Sequence, residues 1–288
     1  MRSIFDFWRR RLWRRDKEAL ERLGQTRPAT VITGGSEGIG LALARQFAKR
    51  RGAVVLVARN KDKLASAKQN LANFKAEIHT IALNITDPNA CERLLQYLSG
   101  QNLHAHELVN NAAIGLAGDY AKHETCDIEE LVNLNVMALS RLTRAVLPDM
   151  LVRGTGGIIN VASLGGLTPG PYQAIYYASK AYVVSLSRAL AYETRGMGLT
   201  ISCVAPGPVN TDFHKRMDAE GAFYRLLLPA MSAEAIARST LFWYSLGRKL
   251  IIPGVLNTAM AICLSVIPSL FILPIISFLL KPFKPAQD

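Results

Sequence analysis

ATVITGGSEGIGLALARQFAKR, residues 29–50, is the stretch that decides the fold. Residues 29–33 are a short apolar and β-branched run and read as a first strand. Gly34, Gly38 and Gly40 follow at once, and residues 41–50 carry the apolar spacing of a helix. Strand, glycine turn and helix in this order are the context that a dinucleotide site needs. The glycines permit a tight turn and close backbone approach to a pyrophosphate. The helix N-terminus then offers N–H groups and a partial positive charge to it.

Outward from that turn, strands and helices alternate. Residues 54–57, 78–83, 107–109, 158–162, 199–204 and 249–252 read as further strands. Helical patterns fill the intervals, among them residues 61–73, 88–98, 127–150 and 232–245, the last with Ser232 as its cap. This alternation predicts an α/β fold: a Rossmann-type, doubly wound parallel sheet of about seven strands, covered on both faces. Arg59 stands just after the second strand, where such folds meet the adenosine ribose. An acidic residue there would suit a free 2′-hydroxyl, whereas Arg59 suits a 2′-phosphate. The expected cofactor is therefore NADP(H) in preference to NAD(H).

The second informative stretch runs from Ser163 to Lys180. Tyr176 and Lys180 are spaced i, i+4 and share one helix face. Ser163 follows the apolar strand 158–162 and could reach the same cleft. A phenol titrates near ~10, and a fixed cation beside it favours the phenolate. That would make a proton donor and acceptor usable near neutrality. Alone, a Tyr–Lys pair at this spacing is an ordinary amphipathic helix. The glycine turn upstream gives it meaning.

Over about residues 28–252 the chain resembles the short-chain dehydrogenase/reductases. The resemblance rests on Thr33-Gly34-x-x-x-Gly38-x-Gly40, Asn110-Asn111-Ala112, Asn135, Ser163, Tyr176-x-x-x-Lys180 and Pro206-Gly207. It implies that Tyr176 exchanges a proton with the substrate oxygen, that Lys180 lowers the phenol pKa and holds the nicotinamide ribose, and that Ser163 hydrogen-bonds the reacting oxygen. Asn135 would hold a water in a proton relay. Thr33, Gly34, Ser36, Gly38, Ile39, Gly40, Asn111, Ala112, Pro206 and Gly207 would line the cofactor. Two positions depart from the family pattern. Asn84 stands where an Asp often meets the adenine, and Ala113 replaces a glycine. The implied reaction moves a hydride between nicotinamide and a carbonyl carbon, with no metal. The implied assembly is a homo-oligomer, a dimer or tetramer.

The two ends lie largely outside the resemblance. The chain has 288 residues and a formal net charge of +12. Residues 1–27 hold nine Arg/Lys against four Asp/Glu and so supply +5 of it. Phe5, Trp8 and Leu12 lie among these arginines at helical spacing, which reads as a basic amphipathic helix suited to an anionic membrane surface. No nucleic-acid motif is present. Residues 252–279 contain no charge but are interrupted by Pro268 and Pro274, which are expected to divide the run into segments 254–267, 269–273 and 275–280. Such a tail can span a membrane, dip into one, or pack over the substrate cleft or on a dimer partner. The expected organisation is thus a basic helix (1–27), a catalytic domain (28–252) and an apolar, membrane-associating tail (253–288). The catalytic domain would sit in the cytoplasm, on that face of a membrane, attached peripherally or monotopically.

The loop after Pro206 carries Phe213, Met217, Phe223, Tyr224 and Leu226-Leu227-Leu228, which suits a small lipophilic ketone or alcohol as substrate. Cys91, Cys126, Cys203 and Cys263 lack metal spacing and read as reduced, buried thiols. His104 and His106 are placed in a polar stretch ahead of the fourth strand. The competing functional reading is a membrane-associated NAD(P)-binding scaffold or sensor without turnover, which would not need the Ser163, Tyr176 and Lys180 set.

Overall fold

The structure, a computed structural model, describes residues 24–217 and 229–281. Of the basic helix expected over 1–27, residues 1–23 lie outside the described residues and Arg27 already belongs to the first strand; Phe223, Tyr224 and residues 226–228 of the loop after Pro206 also lie outside them.

Seven strands form one sheet in the order β3-β2-β1-β4-β5-β6-β7, every pair parallel. They are β1 (Arg27–Thr33), β2 (Ala53–Ala58), β3 (Glu77–Ala82), β4 (Leu103–Asn110), β5 (Gly156–Val161), β6 (Leu199–Val204) and β7 (Leu250–Ile251). The chain runs outward from β1 to β3, then returns to β4 on the other side. The crevice at the carboxyl ends of β1 and β4 is the switch point at which such sheets bind ligands. On one face lie α1 (Gly38–Ala48), α2 (Lys61–Asn70) and α7 (Ala233–Ser245). On the other lie α3 (Ala90–Gly100), α5 (Leu139–Arg153) and α6 (Ala174–Glu193). The core residues divide the same way. Ile32, Leu43, Phe47 and Leu56 fill one layer, and Val31, Leu94, Leu108, Leu142 and Ile158 fill the other. The central strands are buried on both faces, which is why they read as continuous apolar runs.

The expected caps and elements appear with few differences. Ser232 Oγ accepts a hydrogen bond from Ala235 N at 3.2 Å and starts α7. Asn60 caps α2 by accepting from Lys63 N. The long helix expected over 127–150 is α4 (Thr125–Val132), a π-helical turn (Asn133–Ala138) and α5 in succession. His104 and His106 lie within β4, because that strand begins at Leu103. Only Cys203 is buried. Cys126 and Cys263 are exposed and Cys91 is intermediate, so the expectation of four buried thiols is corrected.

The tail forms α8 (Val255–Val266) and α9 (Ser269–Leu280). Pro268 separates them as expected, but Pro274 lies inside α9. A proline there removes one backbone hydrogen bond. Burial of Ile272, Ile276 and Leu280, one turn apart on one side, offsets that loss. Among the described residues no helix is long and apolar enough to cross a membrane.

A buried polar ladder ties the middle of the sheet to two helices. Asn110 Nδ2 donates to Asn160 Oδ1 at 2.8 Å and to Thr143 Oγ1, and Asn160 Nδ2 donates to Ser187 Oγ at 2.9 Å. Asn160→Ala should destabilise the protein by about 1–3 kcal/mol, the usual effect of stranding buried partners. Urea unfolding of the two proteins measures this.

Candidate active site

The glycine turn is held by its neighbours. Thr33 Oγ1 accepts from the backbone N–H groups of Asn111 and Ala112 at 3.0 and 3.1 Å. Asn111 Nδ2 donates to the carbonyls of Thr33 and Gly34 at 3.0 and 3.1 Å. The ends of β1 and β4 are thereby sewn together under the loop. A Cβ on Gly40 would stand 2.2 Å from Gly34 O, so any side chain there would push the turn open. Thr33 and Gly40 accordingly shape the cradle from behind. Gly34, Ser36, Gly38 and Ile39 face the cavity.

That cavity, about 820 Å³, runs from the glycine turn across the ends of β1, β4 and β5. At the end beside β2 stand Arg59, Lys63 and Arg216, with Glu37 among them. Glu37 pairs with Lys63 at 2.9 Å and also with Arg216. Burial alone would raise the Glu37 carboxyl, but hydrogen bonds from the two cations outweigh it and hold the group below its ordinary range. Arg59 pairs with Glu130 at 3.3 Å and is largely exposed. Asn84 also lines this end, and its Oδ1 accepts from the backbone N–H and the hydroxyl of Thr86. Sequence reasoning found Arg59 and Asn84 but not Lys63, Glu37 or Arg216. Lys63 lies one helical turn past Arg59, a spacing that could have signalled it. Arg216 comes from a distant helical turn (Phe213–Arg216) and left no local sign.

Farther along, α6 presents Tyr176, Ser179, Lys180, Val183, Val184 and Ser187 on its buried face, the i, i+3, i+4, i+7 stripe of an inward-facing helix. Tyr176 and Lys180 both line the cavity, as does Ser163 on the turn after β5. The three residues singled out by spacing thus line one cavity. Lys180 is only 4% exposed. Its Nζ donates to Val161 O at 3.0 Å and lies 5.7 Å from the centre of the Tyr176 ring. Burial pushes the Lys180 ammonium down to about 8. Ser163 Oγ accepts from Gly165 N at 3.1 Å, which fixes the hydroxyl while leaving its proton to donate. Pro206 and Gly207 form the adjoining wall, with Leu164 N donating to Pro206 O at 2.9 Å.

Asn135 stands behind this wall and does not line the cavity. Its Oδ1 accepts from Ile114 N at 3.0 Å, and its Nδ2 donates to Ile114 O at 2.8 Å and Ser179 Oγ at 3.1 Å. Ser179 Oγ in turn donates to Tyr176 O. The π-helical turn aims Asn135 inward as a clamp between the β4 loop and α6, so it positions Tyr176 through the backbone.

The tail supplies a wall that the sequence did not place. Leu264, Ile272, Ile276, Leu279 and Leu280 line the same cavity as Tyr176. Tyr177 joins the two regions, packing on the Ile272, Ile276 and Leu280 cluster while its ring lies edge-on to Tyr176, centroids 6.1 Å apart. The inner side of the tail thus packs over the cavity.

A parallel doubly wound sheet, a glycine cradle at its switch point and a Tyr–Lys helix beside it define a nicotinamide-dependent oxidoreductase. The chain belongs to the short chain dehydrogenase family, whose model matches residues 28–221. It is 35% identical over 225 residues to a mouse very-long-chain 3-oxoacyl-CoA reductase, covering 75% of this chain and 70% of that one. The bovine protein of the same name is 34% identical over 64% of this chain, and the match spans 60% of its length. A short-chain dehydrogenase from Sphingobium yanoikuyae, solved in complex with NADPH, superposes with a TM-score of 0.73 at 29% identity, covering 84% of this chain and 96% of that one.

The buried ammonium makes stability depend on pH. The folded value of Lys180, about 8, lies below its ordinary 10.5. Between these values the unfolded chain binds more protons, so this group makes the folded state gain stability as pH rises. Denaturant unfolding of the cofactor-free protein against Lys180→Met should show the difference moving in favour of the wild type across that window.

Proposed function

We propose that the protein is an NADP(H)-dependent reductase of lipophilic ketones, of the kind carried by a 3-oxoacyl chain. The observation that carries this reading is one continuous cavity, polar at Ser163, Tyr176 and Lys180 and apolar along the tail. The names of the mouse and bovine relatives point to the same substrate class.

The cradle fits the cofactor. Gly34, Gly38 and Ile39 would hold the pyrophosphate at the N-terminus of α1, and Arg59 with Lys63 would hold the 2′-phosphate. Lys180 would hold the nicotinamide ribose, with Pro206 and Gly207 walling the ring. When bound, the nicotinamide supplies the hydride to the carbonyl carbon. Ser163 Oγ donates a hydrogen bond to the carbonyl oxygen and orients it. Tyr176 Oη delivers the proton to that oxygen, and the Lys180 ammonium stabilises the negative charge left on the phenol. Asn135 keeps Tyr176 in register through Ser179. The acyl chain lies against Leu264, Ile272 and Ile276.

The same proposal covers the organisation of the chain. Residues 28–252 form the catalytic domain, flanked by the basic segment 1–27 and the apolar tail 253–288. The protein works at a membrane with its catalytic domain in the cytoplasm. Unpaired cysteines suit that reducing compartment.

Tyr176→Phe should lower kcat by roughly 10²–10⁴-fold on a long-chain 3-oxoacyl thioester, the usual effect of removing a positioned acid. NADPH binding, followed by fluorescence, should be unchanged. Wild-type rates in that variant would refute the proton-transfer assignment. Arg59→Asp should shift the ratio of kcat/KM for NADPH over NADH toward NADH by about 10–100-fold, the worth of one charge-assisted contact. An unmoved ratio would place the 2′-phosphate elsewhere.

A further inference from the structure

The tail helices have two apolar sides. The inner side closes the cavity. The outer side carries Val255, Ile262, Val266, Leu270 and Phe271, none of which lines the cavity. Val266, Leu270 and Phe271 flank the turn between α8 and α9 and are 74%, 76% and 65% exposed. Nine of the sixteen large apolar side chains exposed among the described residues lie on these two helices and the turn between them. A patch this concentrated marks an interaction site.

Three further observations say what covers it. First, charge: no acidic residue occurs from 235 to 287, while Arg248 and Lys249 precede the pair and Lys281 and Lys284 follow it. An apolar segment that has no acidic residue and is flanked in the sequence by basic ones suits an anionic leaflet. Second, three polar side chains of the first tail helix bond to backbone carbonyls of their own segment. Asn257 Nδ2 donates to Pro253 O at 2.7 Å, Thr258 Oγ1 to Gly254 O at 2.9 Å, and Ser265 Oγ to Ala261 O. Such groups need no water, as a hydrocarbon environment requires. Third, the mouth of the cavity is in this face. Leu256, Ile267 and Ile275 line the cavity and are also 50%, 42% and 60% exposed.

We infer that α8 and α9 lie in the outer layer of an anionic lipid leaflet, and that the lipophilic substrate passes from the bilayer between Leu256, Ile267 and Ile275 to Tyr176 without crossing water. Each helix has 12 residues, about 18 Å, and falls short of the ~30 Å hydrocarbon core. The pair therefore embeds from one side. The inference rests on the reductase reading for the substrate, though not for the docking face.

The test uses the full chain, vesicles of phosphatidylcholine with phosphatidylserine, and the triple variant Val266→Glu, Leu270→Glu, Phe271→Glu. Wild type should stay on vesicles in about 1 M salt, where charge attraction is screened beyond ~3 Å. The variant should be released, with vesicle affinity lower by roughly tenfold for each side chain withdrawn. It should reduce a short, water-soluble 3-oxo ester at the wild-type rate and lose turnover of a long-chain 3-oxo ester dissolved in the vesicles.

Retention of the variant on vesicles in high salt would overturn the inference, as would failure of the wild type to bind. If neither binds and light scattering shows a wild-type dimer that the variant breaks, the face belongs to a second copy. If the variant does not fold, the serine substitutions at the same three positions are read in the same way. Absence of turnover on both esters by the wild type would refute the reductase reading, and the vesicle measurement would still decide the docking face.

Discussion

A positive charge with almost no exposure to water is the constraint around which the site is arranged. Lys180 reaches under the end of β5 and finds the Val161 carbonyl as its partner. One hydrogen bond does not repay the desolvation of an ammonium, and the depressed titration of the group reflects this. The fold tolerates the deficit because α6 is held by other means. Ser179 joins it to Asn135, Ser187 joins it to Asn160, and Val183 and Val184 pack it on the sheet. The strain is local, and it lies where a bound ribose and a developing phenolate would relieve it.

Tyr177 extends that rigidity to the tail. Its neighbour Tyr176 lines the cavity beside Lys180, while Tyr177 packs on the cluster of Ile272, Ile276 and Leu280. The ring is seated over Gly165 and Gly170, where a Cβ would come within 3.0 and 2.4 Å of it. Gly207 similarly has Asn257 of α8 against it, 2.3 Å from where a side chain would begin. The roof of the cavity is therefore fastened at both the phenol helix and the cofactor turn. A shape change in either helix of the pair reaches the catalytic wall through van der Waals contact.

Much of the fold was legible because parallel strands buried on both faces read as unbroken apolar runs, and because glycines mark the one place where the backbone must turn tightly. Tyr176, Lys180 and Ser163 were legible as residues, since helix spacing and a strand end fix where they point. The direction of Asn135 was not. Its side chain turns from the cavity to the Ile114 backbone because of a π-helical turn, which has no signature in residue type. The cation cluster was half legible. Arg59 follows its strand directly, whereas the pairing of Glu37 with Arg216 joins residues 179 positions apart. Hydropathy identified the tail as apolar but could not divide its inner side from its outer one, and Pro274 looked like a break because packing at Ile272 and Ile276 is invisible in a residue count.

The topology of the sheet has one more implication. All seven strands point the same way, and β7 ends at the same rim as the glycine cradle. Whatever is appended after β7 is delivered to the reactive rim by strand direction alone, whereas whatever precedes Arg27 sets out from the opposite rim. Lengthening or rewriting the carboxyl terminus is thus a route by which an ancestral reductase can acquire a new choice of substrate while its seven strands and their cofactor cradle stay as they were.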